Sequence, residues 1–588
     1  MTEKMTRNGL IKVFWNKERI DFTMKRYALY ALIVFVTFSL QAREKISKPI
    51  KKAGKATCSV MTYNAEGTLL HTSQGFFVSE GELITSYDSF LGAVSAVTTD
   101  AAGITRPVQK VTGANELYGT LRASIPTDKK LFTLSIDSIA ATEGDKFWLL
   151  PVSSAKKEAA TRLTIVKVER VADNYNYYTL SGPALLANPA GRPLLNDEGK
   201  VVAVMQTAAE GDSIFYALDV RFGMQLEIKG LTLNETSYRK LEFPKALPKD
   251  IDQAQVWLFL AEGQQDKEMF IRTVEAFIEQ FPQSPEGYLR RAAISIADKN
   301  CEQAEADFSR ALETAEKKDD ALYQMARQKA TAIKADSTLT CEGWSLNGAA
   351  EDVRRAIDMD PQPAYYQLLG DICFTAGNYP AACEAYTAIC DRPEATAENF
   401  YNAAIACEQI PDSSAAAIAL MTRAVLAASG TDNEENLRYD SAPFVYERAL
   451  MHARHGSNRA AVFDLNLYER LAGTPTDARF YYIREQVEAA ARMFQQALDD
   501  IDTAISIEAL PIYLLEKASL NIRVNRTDEA IPILEKLVAD FPDDTDCNRL
   551  LGFCHAIKGD IAKARPLLEH AAALGDTSAE GLIEKYCK

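Results

Sequence analysis

Apolar and polar positions fall into three regimes along the chain. From Tyr27 to Leu40 the residues are mostly apolar, with Lys25 and Arg26 before them and Gln41-Ala42 behind. From residue 56 to about 230, apolar residues come in short runs split by turn residues. Examples are Gly75-Phe76-Phe77-Val78, Leu83-Ile84-Thr85, Leu131-Phe132-Thr133-Leu134, Leu163-Thr164-Ile165-Val166 and Val201-Val202-Ala203-Val204. Such runs predict short strands in a sandwich or barrel. Asn196-Asp197-Glu198-Gly199 between two of them predicts a hairpin turn, since glycine adopts positive φ without a steric cost. From Ile251 onward the chain becomes rich in Ala, Leu and Glu, with the apolar spacing of amphipathic helices. Pro244 and Pro248 mark the change.

The first regime reads as a secretory signal: basic residues, an apolar run, then a small residue for cleavage. The run is short of the roughly 20 residues that a membrane span needs. Met24 stands where such a signal would begin, so residues 1–23 read as an upstream extension. The alternative is an uncleaved anchor formed by residues 27–42. Residues 43–55 carry six basic groups and one acid. They read as an exposed linker, with contact to an anionic membrane surface as the alternative. These features place the protein in the bacterial periplasm or cell envelope, or anchored to the inner membrane if the apolar run is retained.

The strand-rich region resembles a trypsin-like serine protease of the high-temperature-requirement (Deg) type. Ser73-Gln74-Gly75-Phe76-Phe77-Val78 followed by Leu83-Ile84-Thr85-Ser86-Tyr87 is similar to that family's opening strands. Glu116-Leu117-Tyr118-Gly119-Thr120-Leu121 falls where the family has its Asp motif. Asn188-Pro189-Ala190-Gly191-Arg192-Pro193-Leu194-Leu195-Asn196 resembles the segment around its nucleophile. The resemblance implies two six-stranded barrels with a cleft between them. It also implies a degenerate triad, with Asp88 at the His position, Glu116 at the Asp position and Ala190 at the Ser position. Triad catalysis needs a hydroxyl, an imidazole within reach of it and a carboxylate to orient the imidazole. Ala190 lacks the first and Asp88 cannot supply the second. His71 is the only histidine of the region and precedes the family's His position. Ser86 and Ser181 read as ordinary loop or strand serines. Asn188 stands where the family uses glycine for its oxyanion hole, Pro189 restricts the residue before it, and Arg192 puts a side chain on another glycine position. The expectation is a pseudoprotease with no catalytic residues.

The helical region has a period of about 34 residues and resembles tetratricopeptide repeats. Leu551-Gly552, His555, Gly559, Ala564, Leu568 and Ala571 fall on that pattern. One period earlier so do Ala518, Ala530, Leu534, Leu537 and Pro542. Further units begin near Pro285, Pro363, Ala397, Ala442 and Thr476, with a divergent first unit from Ile251 to Pro282. Small residues let paired helices approach and large ones fill the space between pairs. The resemblance implies a superhelix whose first helices line a groove. It places Gln367, Asp371, Phe374, Glu398, Tyr401, Glu408 and Tyr446 there, facing a protein or peptide partner.

The fold expectation is therefore multidomain: an all-β double-barrel trypsin-like domain followed by an all-α superhelix. The boundaries are 1–42 for extension and signal, 43–55 and 231–250 for linkers, 56–230 for the trypsin-like domain and 251–588 for about nine helix pairs. The 588 residues are 47% apolar and 25% charged, ordinary for globular protein. A net charge of −16 argues against nucleic-acid binding, which favours a basic surface. Of ten cysteines, nine lie in the array. None forms a C-x-x-C pair, and no phosphate-binding or dinucleotide-binding glycine loop occurs, so no metal or cofactor is expected. Cys301 and Cys341 are expected in neighbouring loops where export permits a disulfide. Cys373 and Cys407 occupy packing positions and read as buried thiols. The leading expectation is an exported, non-catalytic scaffold or adaptor. The alternatives are an active trypsin-like endopeptidase and a peptide-binding regulator of a homologous protease.

Overall fold

The computed structural model describes residues 46–587, except 80, 128–129, 152–159, 173, 186, 210, 337 and 474–476. The expected signal (1–42), residues 43–45 and the expected unit start at Thr476 lie outside the described residues. The chain divides into two compact units, residues 1–281 and 282–588.

Thirteen strands build the first unit. They are β1 (Thr57–Tyr63), β2 (Leu69–Val78), β3 (Glu82–Ser86), β4 (Ser95–Asp100), β5 (Thr105–Pro107), β6 (Lys110–Asn115), β7 (Thr120–Ser124), β8 (Lys146–Leu149), β9 (Thr161–Val171), β10 (Tyr175–Ser181), β11 (Pro193–Leu195), β12 (Val201–Met205) and β13 (Ile214–Asp219). β8 to β13 close a six-stranded barrel in the order β10-β13-β12-β11-β8-β9. The first seven form a sheet in the order β5-β4-β1-β2-β3-β7-β6, so this half has seven strands and stays open. Its β6 edge is satisfied by a later segment instead: the Val111 amide donates to Pro244 O and the Ala246 amide to Val111 O, each at 2.8 Å.

Residues of β1 and β4 alternate between buried and less buried, as half-buried strands must. All of β12 is buried because it has core on both faces. Val202, Ala203 and Met205 join Leu163, Tyr178 and Phe215 in the barrel core. Val201 and Val204 join a second cluster with Phe76, Ile84, Trp148 and Leu195, which ties the open sheet to the barrel. The predicted hairpin is present. The Asn196 amide donates to Lys200 O at 3.0 Å, and Gly199 has φ +78°.

Two segments expected to be linkers are packed instead. The helix Lys48–Ala53, started by Pro49, buries Ile50 completely in the second cluster. Burying one such side chain contributes about 2 kcal/mol, so the described part of the basic segment belongs to the domain while its lysines face outward. Between residues 231 and 250, Leu233, Tyr238, Phe243 and Leu247 are buried, and the Tyr238 hydroxyl accepts the Ala114 amide at 2.8 Å. The first helix pair, Ile251–Gln264 and Lys267–Gln280, also falls in this unit rather than with the array.

The second unit holds eight described helix pairs, from Pro285–Ala297 with Cys301–Thr314 to Thr545–Ile557 with Ile561–Ala573, and ends on Thr577–Tyr586. Each helix packs on its sequence neighbours. Small residues make that approach possible. A Cβ on Gly370 would sit 2.3 Å from the Tyr386 ring, and one on Gly552 2.7 Å from Leu568. Between helices of a pair, an arginine on the first and an aspartate sixteen residues later recur as ion pairs: Arg291–Asp307, Arg448–Asp464 and Arg484–Asp500. No helix among the described residues is long and apolar enough to cross a membrane.

Candidate functional site

The three positions expected to correspond to a triad, Asp88, Glu116 and Ala190, lie near Ser86 and Tyr87. β3 ends at Ser86, and Asp88 opens a single turn of 3-10 helix with its side chain exposed. The next residue, Ser89, is buried, accepts from Ser73 Oγ at 3.0 Å and donates to Ser86 O at 2.7 Å. Glu116 begins the turn between β6 and β7, which closes through Gly119 N donating to Glu116 O at 3.1 Å. The Tyr87 amide reaches the same turn at Gly119 O, 3.0 Å away. Burial, then the charges of Glu116 and Asp88, push the Tyr87 phenol up to about 12. Its hydroxyl donates to Ser237 O at 2.8 Å. Glu116 pairs with Lys240 at 2.5 Å.

Ala190 is 8% exposed. Gly191 has φ +79°, and a Cβ there would meet Gln74 O at 2.2 Å and Ser86 N at 3.1 Å. Only glycine tolerates both the conformation and the approach, so this residue seats the loop against β2 and β3. The Ala190 amide donates to Asn188 Oδ1 at 3.1 Å, and the Ala208 amide donates to the same oxygen at 3.3 Å. The Asn188 side chain thus engages the Ala190 amide. Arg192 is buried and donates to Leu150 O at 3.3 Å. His71 is exposed on β2 opposite Thr62, and Ser181 lies on β10 opposite Ile214. The side chains at the three expected triad positions are thus two carboxylates and a methyl, with hydroxyls of Ser89 and Tyr87 beside them bonded to backbone carbonyls.

Of the seven residues expected in the helical groove, five line one or the other of two clefts. Gln367 and Asp371 share a cleft of about 350 Å³ with Tyr323, Arg327 and Lys334. Gln367 donates to Asp371 Oδ1 at 2.9 Å, and the Tyr386 hydroxyl donates to the same atom at 2.6 Å. Glu398, Tyr401 and Tyr446 line a second cleft of about 480 Å³ with Phe444, Glu447 and Tyr468. Phe374 packs edge-on against Tyr379, with ring centroids 5.3 Å apart. Glu408 is not a free groove charge. Its side chain is 8% exposed and accepts from Arg454 at 2.8 and 2.9 Å, with His455 Nε2 at 3.0 Å. Burial works to raise its carboxyl, but the Arg454 hydrogen bonds and charge outweigh it and hold the group below the usual range.

Sequence reasoning missed Tyr323, Arg327 and Lys334, because it assigned no unit to the helix Lys318–Ala335. It missed Tyr468 because only first helices were given to the groove. Cys301 and Cys341 are bonded, with Cα atoms 5.6 Å apart. Cys407 is not a thiol but is bonded to Cys383, Cα 5.0 Å away. Cys373 is a buried thiol beside Arg354. No group of His, Cys, Asp and Glu that could hold a metal ion occurs among the described residues.

The family model for the tetratricopeptide repeat matches residues 346–399 and 515–579. The helical unit carries tetratricopeptide repeats. Among solved structures, the chain is similar to an HtrA-type protease, AlgW with a tripeptide, at 15% identity and a TM-score of 0.26. That match covers 32% of this chain and 64% of the other. No curated protein matches the chain.

Proposed function

We propose that this is an exported, non-catalytic scaffold that holds a protein partner on its tetratricopeptide repeats and keeps a trypsin-like domain without its chemistry. Residue identity carries the reading: Asp88, Glu116 and Ala190 stand where the resemblance puts the triad, and none of the three is a hydroxyl nucleophile or an imidazole. The Asn188 cap on the Ala190 amide supports it, because a donor already engaged cannot stabilise a developing oxyanion. Repeat arrays of this type are binding surfaces. The two disulfides suit an oxidising compartment, as does the signal-like segment Lys25–Ala42. Residues 27–42 as a retained anchor remain the alternative for how the chain is held.

The test is hydrolysis of casein and fluorogenic peptides by the purified protein, with fluorophosphonate labelling of serines. Loss of Ser or His alone from such a triad costs roughly 10⁶ in turnover, about 8 kcal/mol of barrier. No turnover is therefore expected, and Ala190→Ser alone should restore none, since no imidazole takes its proton. Labelling of a serine in residues 56–230, abolished by mutating that serine, would refute the reading and reinstate an endopeptidase.

A further inference from the structure

The second cleft of the repeat array has a composition that its packing role does not account for. Tyr401 comes from the helix Ala397–Glu408, Phe444 and Tyr446 from Ala442–Arg454, and Tyr468 from Asn458–Ala472. The rings meet in pairs, Tyr401 with Phe444 at 6.0 Å between centroids and Tyr446 with Tyr468 at 5.0 Å. All four are only partly buried. Glu398 and Glu447 line the same cleft, and neither carries an ion pair among the described residues. Glu447 lies on the same helix as Phe444 and Tyr446 and lines the cleft beside them.

The chain's own cations approach this cleft without covering its rings. Arg454 is bonded to Glu408, and its charge also bears on Tyr401 and Glu447. Arg423 lies over Phe400, 4.3 Å from the centroid. Arg479 bears on Tyr446 only as an exposed charge. Among the described residues no Lys or Arg lies over any of the four rings. Elsewhere in the array such contacts are common, as where Arg484 covers Phe480 and Tyr481.

We infer that this cleft is a recognition site for an arginine side chain presented by the protein partner. The inference rests on the scaffold reading above and gives its partner a chemistry. Ring faces attract a cation within about 6 Å. A planar guanidinium can stack on a ring and still donate in its plane to a carboxylate. Glu398 and Glu447 supply such acceptors next to the rings. A quaternary ammonium has no N–H for them, so the carboxylates select the guanidinium. The cleft, at about 480 Å³, is within the usual range of small-ligand pockets. The net charge of −16 favours approach of a basic segment.

The test is an NMR titration of the full chain with N-acetyl-arginine methylamide at about 0.15 M salt, where long-range attraction is screened. The neutral isostere N-acetyl-citrulline methylamide and choline serve as comparisons. The arginine derivative should bind, and citrulline and choline should bind at least about fivefold more weakly. Glu447→Gln and Tyr446→Leu should each weaken arginine binding about fivefold, and Phe444→Tyr should retain it. Circular dichroism melts confirm that the variants are folded, and Glu447→Gln leaves every ring in place if Tyr446→Leu is not. Citrulline or choline binding as tightly as arginine would overturn the assignment. So would a folded Glu447→Gln that binds like the wild type. The titration needs no partner, so its failure removes the arginine site alone. Serine labelling in the hydrolysis test removes the non-catalytic reading and leaves this site standing.

Discussion

Glu485 and Glu488 make the stability of the array fall as pH rises. Both lie on the helix Ala478–Ala490 and are 0% and 3% exposed. Glu485 Oε1 and Glu488 Oε2 have no hydrogen-bond partner among the described residues; Gln486 donates to the other oxygen of Glu485 at 2.7 Å. Burial, then the charge of Glu516, pushes Glu485 up to about 8. Burial, then Asp500, does the same for Glu488, also to about 8. The nearby cations offset this only in part: Arg523 acts on Glu485, while Arg484 acts on Glu488 but is itself bonded to Asp500 and Glu469. The folded-state values lie above the unfolded value near 4.3. The folded state therefore holds protons that the unfolded state releases. The resulting stabilisation is fully present below about pH 4.3 and is lost as pH rises through about 8. Each proton held differentially is worth about 1.4 kcal/mol per pH unit. Because the two carboxyls share one environment they titrate as a pair, and a loss of about 2–4 kcal/mol between pH 5.5 and 7.5 is expected. Urea unfolding at those two pH values, followed by circular dichroism, measures it. Glu485→Gln should flatten the dependence and stabilise the array at pH 7.5. Glu408 and Glu434 are held low by their arginines and so titrate below this window. Stability that rises from pH 5.5 to 7.5, or a Glu485→Gln variant with the wild-type slope, would refute the reasoning.

Two further outcomes follow from packing. Gly370→Ala should destabilise the array despite a helix-propensity gain of about 1 kcal/mol. The new Cβ meets the Tyr386 ring at 2.3 Å, and overpacking costs about 1–3 kcal/mol. Adding Tyr386→Leu should recover most of the loss in urea melts. Arg448→Leu should cost about 3–5 kcal/mol, because Asp464, its side chain 3% exposed, loses its bonded cation and keeps only His452 Nε2, 3.9 Å away. Replacing Asp464 by Leu as well should restore most of it, since Glu434 is exposed enough to rehydrate.

Much of the fold was legible in the sequence because strands, hairpins and repeats obey local rules. Alternation in β1, the turn at Asn196 to Lys200, and the pairing of small with large residues at Gly370/Tyr386 or Gly552/Leu568 all depend on spacings of a few residues to one repeat. The proposed loss of nucleophile and imidazole rests on residue identity at Ala190 and Asp88, which needs no tertiary structure to read. The recurrence of arginine and aspartate sixteen apart could have been read and was not. The rest was decided by tertiary structure. Glu408 looked like an exposed groove acid until the superhelix brought Arg454, 46 residues later, against it. Cys407 looked like a packing thiol until the turn between helices placed Cys383 beside it. Ile50, in a strongly basic segment, found a core formed by strands that come later in the chain. Tyr468 joined a cleft that its own helix gave no reason to expect. In each case the deciding contact joins residues whose separation follows no local period. It is set by how successive helices and sheets stack, a property that one segment of sequence does not carry.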